Sequence, residues 1–251
     1  MKITKIKDFI LEILFPSSIY CISCRSIIDK SRPYALCDEC MATFRWANGR
    51  TCEKCGKILQ DNYAHDICAD CREIAHHFEK GYTCVQYGKR ERELLLAFKY
   101  GGQAFIGDKI AEVMADRLAP ENLDMDLIIP VPMHRRKERK RGYNQAEIIA
   151  KCLSKKLGLP YSSKLIKRAE NTPAMSGLTS SERRLNMDNA FCISKSAEDK
   201  IKFKRVLLVD DIYTTGSTAS ACSRVLMERG ASEVRVITFA AGANVFLTAN
   251  D

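Results

Sequence analysis

No apolar run in the 251 residues approaches the roughly 18–20 needed to cross a bilayer, which excludes an integral helical membrane protein. The N-terminal segment is not expected to be a secretory leader. Ile3, Ile6, Phe9, Ile10, Ile13 and Leu14 recur at helical spacing, but Lys7, Asp8 and Glu12 interrupt what would be its apolar core. Residues 1–18 are therefore expected to form an amphipathic helix packed on the body rather than lying on a membrane. With no export signal, the expected compartment is the cytoplasm, where thiols stay reduced and twelve cysteines do not form a disulfide framework. Only 13 glycines and 7 prolines exclude a collagen-like chain. With 46% apolar and 28% charged residues, the chain suits one large or two smaller soluble domains.

Charge is unevenly placed. Residues 1–79 carry 11 basic and 11 acidic side chains, whereas residues 80–251 carry 29 and 20, the entire net +9. An anionic ligand such as a phosphate or a nucleic acid would suit that second part, and so would a merely basic surface.

Eight cysteines form four CxxC pairs: Cys21 and Cys24, Cys37 and Cys40, Cys52 and Cys55, Cys68 and Cys71. The last two pairs repeat the first two 31 positions later. Two thiolates on a tight turn and two on a second turn close a tetrahedral shell, the construction of a structural Zn2+ site. Such a site stabilises a segment too short for a core of its own. The pairing is open, sequential or interleaved, and so is one zinc ion or two. Gly56 after Cys55 suits a turn with positive φ. His65, His76 and His77 are read as surface residues, and Cys84, Cys152, Cys192 and Cys222 as small core residues.

Three regions follow: the N-terminal helix (1–18), a Cys-rich zinc-binding module (19–79) and a domain of alternating strands and helices (80–251). That alternation predicts an α/β fold with a mainly parallel sheet. Helices are expected over 92–98, 106–118, 145–157 and 217–229, and strands over 127–131, 206–209 and 234–239. The run Val206 to Val209 reads as a strand buried on both faces. Residues 171–190 read as a long loop or short helix.

The chemistry concentrates between the last two strands. Asp210 and Asp211 stand at a strand's carboxyl end, and Thr214, Thr215, Gly216, Ser217 and Thr218 open the next helix. Backbone N–H groups and hydroxyls there offer a phosphate cradle on the positive end of the helix dipole. Two carboxylates before such a cradle make sense if they accept hydrogen bonds from vicinal sugar hydroxyls. No Lys follows the glycine as in a P-loop, and the spaced glycines of a dinucleotide fingerprint are missing.

These residues resemble the phosphoribosyl-diphosphate (PRPP) signature of type I phosphoribosyltransferases. Together with Lys99-Tyr100 before two glycines, Pro130 to His134, Arg141 to Ala146 and the CxxC cluster, they resemble the ComF family over nearly the whole chain. The resemblance implies a zinc-binding element joined to a phosphoribosyltransferase-like domain, with a role in DNA uptake for some members. It also extends to Asn171 to Pro173, Gly177-Leu178, Arg183, Asn186 and Ala190-Phe191, with Met175 where many members carry Gln.

On this reading Asp210 and Asp211 are the catalytic acids, and Asp210, Asp211 and Thr214 to Thr218 bind PRPP. Mg2+ would ride on the ribose hydroxyls and diphosphate. Lys99, His134, Arg135, Arg136 and Arg141 would contact pyrophosphate or a longer polyanion. Residues 135–141 hold six cations in seven positions, compatible with a flexible solvated face, a diphosphate contact or a track for single-stranded DNA. Tyr143 offers a stacking surface beside them. The acceptor has no legible signature, and glutamine amidotransfer is disfavoured because no N-terminal nucleophilic cysteine is present. The alternatives to a transferase are a single-stranded DNA-binding competence factor that docks a DNA-uptake helicase, and a PRPP-sensing regulator. Oligomeric state has no sequence signature here.

Overall fold

The computed structural model describes residues 19–168, 190–193 and 195–243. The expected helix over 1–18 and nearly all of the 171–190 segment, with Met175, lie outside the described residues.

The Cys-rich module holds two short helices, α1 (Asp38–Thr43) and α2 (Ala69–Glu73), each starting just after a cysteine. Beyond it come β1 (Lys80–Gln86), α3 (Lys89–Tyr100), α4 (Ile106–Leu118), β2 (Leu127–Pro130), α5 (Arg135–Arg141), α6 (Gln145–Leu157), β3 (Ile166–Arg168), β4 (Phe191–Ile193), β5 (Arg205–Tyr213), α7 (Ser217–Glu228) and β6 (Glu233–Ala241). Strands β1, β6, β5 and β2, in that order, make one wholly parallel sheet, and β3 pairs antiparallel with β4 as a separate ribbon. This is the α/β architecture that the alternation predicts.

Val206 to Val209 are fully buried, two on each face of the sheet: Val206 and Leu208 pack in the cluster that includes α7, Leu207 and Val209 in the cluster that includes α4 and α6. Burying each such side chain contributes about 1.5–3 kcal/mol. Strand β5 runs past this core to Tyr213, because β6 continues to pair with it at Asp210↔Thr238, Ile212↔Ala240 and Tyr213↔Ala241. The acid pair thus lies within the strand rather than beyond its end. Helix α3 starts three residues before the expected 92, because Glu91 Oε2 accepts from the Gly88 N–H at 3.0 Å and caps the end.

The two halves of the Cys-rich module clasp the β1 edge. The first packs with Tyr82, Cys84 and Val85 on the α4–α6 face, and the second packs with Phe78 and Tyr213 on the α7 face. The chain between them covers the outer edge of β1, where Ala47 N–H donates to Cys84 O and Gln86 N–H to Arg45 O.

Three sequence expectations need correction. His76 is 9% exposed, not a surface residue, because the chain entering β1 lays its ring against Phe78 at 4.9 Å between centroids. Burial and the nearby Lys54 ammonium push its imidazole pKa down to about 4. Cys192 is exposed on the short β4, while Cys84 and Cys222 are buried as expected. Residues 135–141 form a helix rather than a flexible face, capped by His134 Nδ1 and ended by Gly142 at φ 86°. No helix among the described residues is long and apolar enough to cross a membrane.

Candidate functional site: a strand-end cleft beside two thiol clusters

The eight CxxC thiols gather into two groups. Cys21, Cys24, Cys37 and Cys40 form one and Cys52, Cys55, Cys68 and Cys71 the other, each with all Sγ atoms within 4.8 Å. The grouping is sequential, not interleaved. Sulfurs at about 2.3 Å from a tetrahedral Zn2+ stand about 3.8 Å apart. Cys24 and Cys37 lie at 3.6 Å and Cys55 and Cys68 at 3.7 Å, so both sets fit that ion. Cys37 N–H donates to Cys21 Sγ at 3.4 Å, and the equivalent Cys68 N–H donates to Cys52 Sγ at 3.2 Å. Such donors spread thiolate charge without a second metal.

The second group reaches the strand end that carries the acids. Lys57, 3% exposed, pairs with Asp70 at 2.5 Å and lies 5.7 Å from the Tyr213 ring centroid. His76 Nε2 and Tyr213 Oη are 3.2 Å apart. Gly216, at φ 77°, caps α7 directly over this pair; a Cβ there would fall 2.1 Å from Tyr213 Oη and 2.8 Å from His76 Cε1. Glycine is required both for the left-handed turn and for the space.

At the carboxyl ends of β2 and β5 lies a cleft of about 170 Å³. Asp210, Asp211 and Thr218 line it as an acid wall, and Lys137, Arg141, Gln145 and Arg168 are also among its lining residues. Asp210 Oδ1 accepts from the Asp211 N–H at 2.9 Å. Burial and the neighbouring Asp211 charge raise the Asp210 pKa well above the usual carboxylate range, with Lys99 opposing. Thr214, Thr215 and Ser217 are exposed around the α7 N-terminus, and Thr215 Oγ1 and Ser217 Oγ share a hydrogen bond of 2.8 Å.

The basic residues singled out from sequence separate. Lys99, at the end of α3, has its ammonium 2.5 Å from Asp211 Oδ2, with both side chains under 20% exposed, so it is committed to the acid wall. His134 caps α5 by accepting from Arg136 N–H, and Arg135 and Arg136 are exposed and do not line the cleft. Arg141 does line it, donating to Gln145 Oε1 at 3.2 Å and to Tyr100 Oη at 3.1 Å. Tyr143, the expected stacking surface, instead donates its hydroxyl to Phe98 O and packs on the Phe98 ring. Tyr100 is 64% exposed with the Arg141 guanidinium 5.1 Å from its centroid, and it takes that place. Sequence reasoning misses Gln145 and Arg168, and it gives Lys137 only as one of the six cations of 135–141. Lys137 is legible as the one α5 position a turn before Arg141. Arg168 comes from a separate ribbon, and no local pattern points to it.

The second half of the chain, residues 139–244, matches the phosphoribosyl transferase domain family, and residues 10–72 match the double zinc ribbon domain family. The chain is 32% identical over 221 residues to "Competence protein F" of Haemophilus influenzae, covering 86% of this chain and 94% of that protein. It is 26% identical over 208 residues to "DNA utilization protein YhgH" of Escherichia coli, 81% of this chain and 88% of that one. With "Competence protein ComFC" of Bacillus subtilis it shares 26% identity over 202 residues, 78% of this chain and 79% of that one. With two four-cysteine clusters, a parallel sheet of phosphoribosyltransferase type and relatives aligned over most of their length, the chain belongs to the ComF family.

Proposed function

We propose that the strand-end cleft binds PRPP together with Mg2+, and that the protein acts in DNA uptake as a phosphoribosyltransferase-like ComF protein. One observation carries this reading: the carboxylates of Asp210 and Asp211 and the N-terminus of α7 share a single cleft at the carboxyl end of a buried parallel strand. The α7 dipole and the hydroxyls of Thr214, Thr215, Ser217 and Thr218 receive the 5-phosphate. Asp210 and Asp211 accept the ribose hydroxyls, with Lys99 stabilising the acid pair from behind. The anomeric carbon then faces Lys137 and Arg141, whose charges balance the diphosphate as it departs. The oxygen-only donor set of the acid wall fits a hard cation, and Mg2+ supplies charge neutralisation there.

Calorimetric titration of PRPP with and without Mg2+, with ribose 5-phosphate as comparison, tests it. Metal-dependent PRPP binding is the expected result, and its absence overturns the reading.

A second reading has its own observation. Tyr100 and Arg141 form an exposed aromatic–cation pair beside the six cations of 135–141, a surface that suits single-stranded DNA. The names of these relatives, which speak of competence and DNA utilization, support a nucleic acid partner. Neutralising residues in this helix flattens the salt dependence of DNA binding if that surface is used.

A further inference from the structure

A second cavity lies away from the ligand cleft, between the carboxyl ends of α4 and α6. It holds about 390 Å³ and is lined by Ala115, Leu118, Leu123, Leu157, Leu159 and Leu207, with Asp116 and Lys156 also among its lining residues. Leu207 is fully buried in β5 and Leu118 is buried at the end of α4, whereas Ala115, Leu123, Leu157 and Leu159 are only half-buried. An aliphatic groove open to water forfeits contacts that a matching apolar chain would supply.

The first half of the Cys-rich module stands at the edge of this groove. Tyr34 donates its hydroxyl to Asp116 at 2.8 Å. Its neighbour Ala35 accepts through its carbonyl from Ile22 N–H at 2.9 Å, three residues after Ile19, the first described residue. Residues 1–18 therefore join the molecule close to the groove, and the double zinc ribbon match begins inside them, at residue 10.

Their sequence fits what the groove offers. At about 100° per residue, Ile3, Ile6, Phe9, Ile10, Ile13 and Leu14 share one face of a helix, Lys5 and Lys7 flank that face on its two sides, and Asp8 and Glu12 lie opposite. The negative poles of the α4 and α6 dipoles both end at the groove, and Asp116 is exposed on it. The nearby cations are already engaged, Lys156 with Asp108 at 3.3 Å and Arg117 with Glu121 at 3.0 Å. Flanking lysines therefore meet negative charge. A helix over 3–14 is about 18 Å long, Pro16 ends it, and the five steps from Leu14 to Ile19 span up to roughly 17 Å, which lets the segment fold back onto α4 and α6.

We propose that residues 3–14 lie as a helix in this groove, with Ile6, Ile10 and Ile13 seated against Leu118, Leu123, Leu157 and Leu159, and so clasp the first half of the Cys-rich module to the α/β domain. The clasp does not depend on the phosphoribosyl reading.

The test is photo-crosslinking of the full chain with p-benzoylphenylalanine placed at Phe9, read by mass spectrometry, with and without phosphatidylglycerol vesicles. Ile10→Asp and Leu123→Asp are compared in the same background, each checked for zinc content and for a folded chain by circular dichroism. The expected result is a cross-link within one chain, from position 9 to residues 115–125 or 156–159, that is lost in both variants. Amide exchange at 115–118 and 157–159 should also be about tenfold faster in Ile10→Asp than in the native chain, with β5 unchanged. Ile10 lies on the clasp and not in the groove's own framework, so its variant decides the matter where Leu123→Asp folds poorly. A cross-link between two chains that grows with protein concentration assigns the stripe to a second copy and overturns the proposal. Cross-links to lipid, with the protein sedimenting with the vesicles, assign it to a membrane and overturn it too. Cross-links elsewhere in the chain, or native exchange in Ile10→Asp, have the same consequence.

Discussion

The two thiol clusters share one template and lead different lives. Across the 31-residue offset, Arg25 N–H donates to Cys21 O as Gly56 N–H does to Cys52 O, and Tyr20 bridges Ile27 as Thr51 bridges Ile58. Both turns need a left-handed residue, at φ 69° and 76°. Yet the first uses an exposed arginine and the second a buried glycine, whose missing Cβ would stand 2.7 Å from Gly81 O. The first turn faces water and leaves Ile27 81% exposed. The second is pressed on β1 and, through His76 and Lys57, on Tyr213 and the turn at Gly216. An identical thiol cluster can therefore serve one half as a local staple and the other as a support for the candidate site, the difference arising in what the turn touches.

The largest expected break in this comparison is loss of a ligand thiol. Cys52→Ser should lower the melting temperature and PRPP affinity together, whereas Cys21→Ser should lower the melting temperature with PRPP affinity within about threefold, since zinc binding free energy is folding free energy. Melts, metal content and calorimetry on the two variants check it, and equal losses of affinity would erase the distinction. Next in size, Gly56→Ala should cost about 1–3 kcal/mol through strain and the approach to Gly81, while Arg25→Gly should stay within about 1 kcal/mol of native, on the stabilising side. Denaturant melts compare them. Tyr213→Phe removes the partner of His76 and should cost about 1 kcal/mol with a fewfold loss of PRPP affinity. The smallest effect belongs to Tyr34→Phe, which frees Asp116 on α4 from the first half at about 0.5–1 kcal/mol and leaves ligand binding unchanged.

What is legible in the sequence is what is encoded locally. The CxxC repeat, the four-residue apolar run of β5, the Asn144 cap of α6 and the acid–hydroxyl run at 210–218 each lie within a few neighbouring residues, and their spacing carries their geometry. What is not legible depends on partners far along the chain. Lys99 reads as a free cation until α3 brings it to Asp211, more than a hundred positions on. His76 reads as exposed because nothing near it shows that Phe78 and Tyr213 enclose it. Tyr143 reads as a stacking surface but packs on Phe98, while Tyr100 stands exposed beside Arg141, and Arg168 enters the cleft from a ribbon whose two strands are separated by over twenty residues. The six cations at 135–141 read as one feature, but a helix divides them, so that Lys137 and Arg141, four apart, line the cleft while Arg135 and Arg136 do not.

The proposed PRPP site needs Asp210 and Asp211 beside the N-terminus of α7 in one cleft, and PRPP titration of the Asp210→Asn, Asp211→Asn double variant in the presence of Mg2+ tests it most directly. The predicted result is a loss of roughly a hundredfold or more in affinity, two hydrogen bonds to carboxylates being removed, with zinc content near native and a folded chain by circular dichroism. Native PRPP affinity in that variant would contradict it.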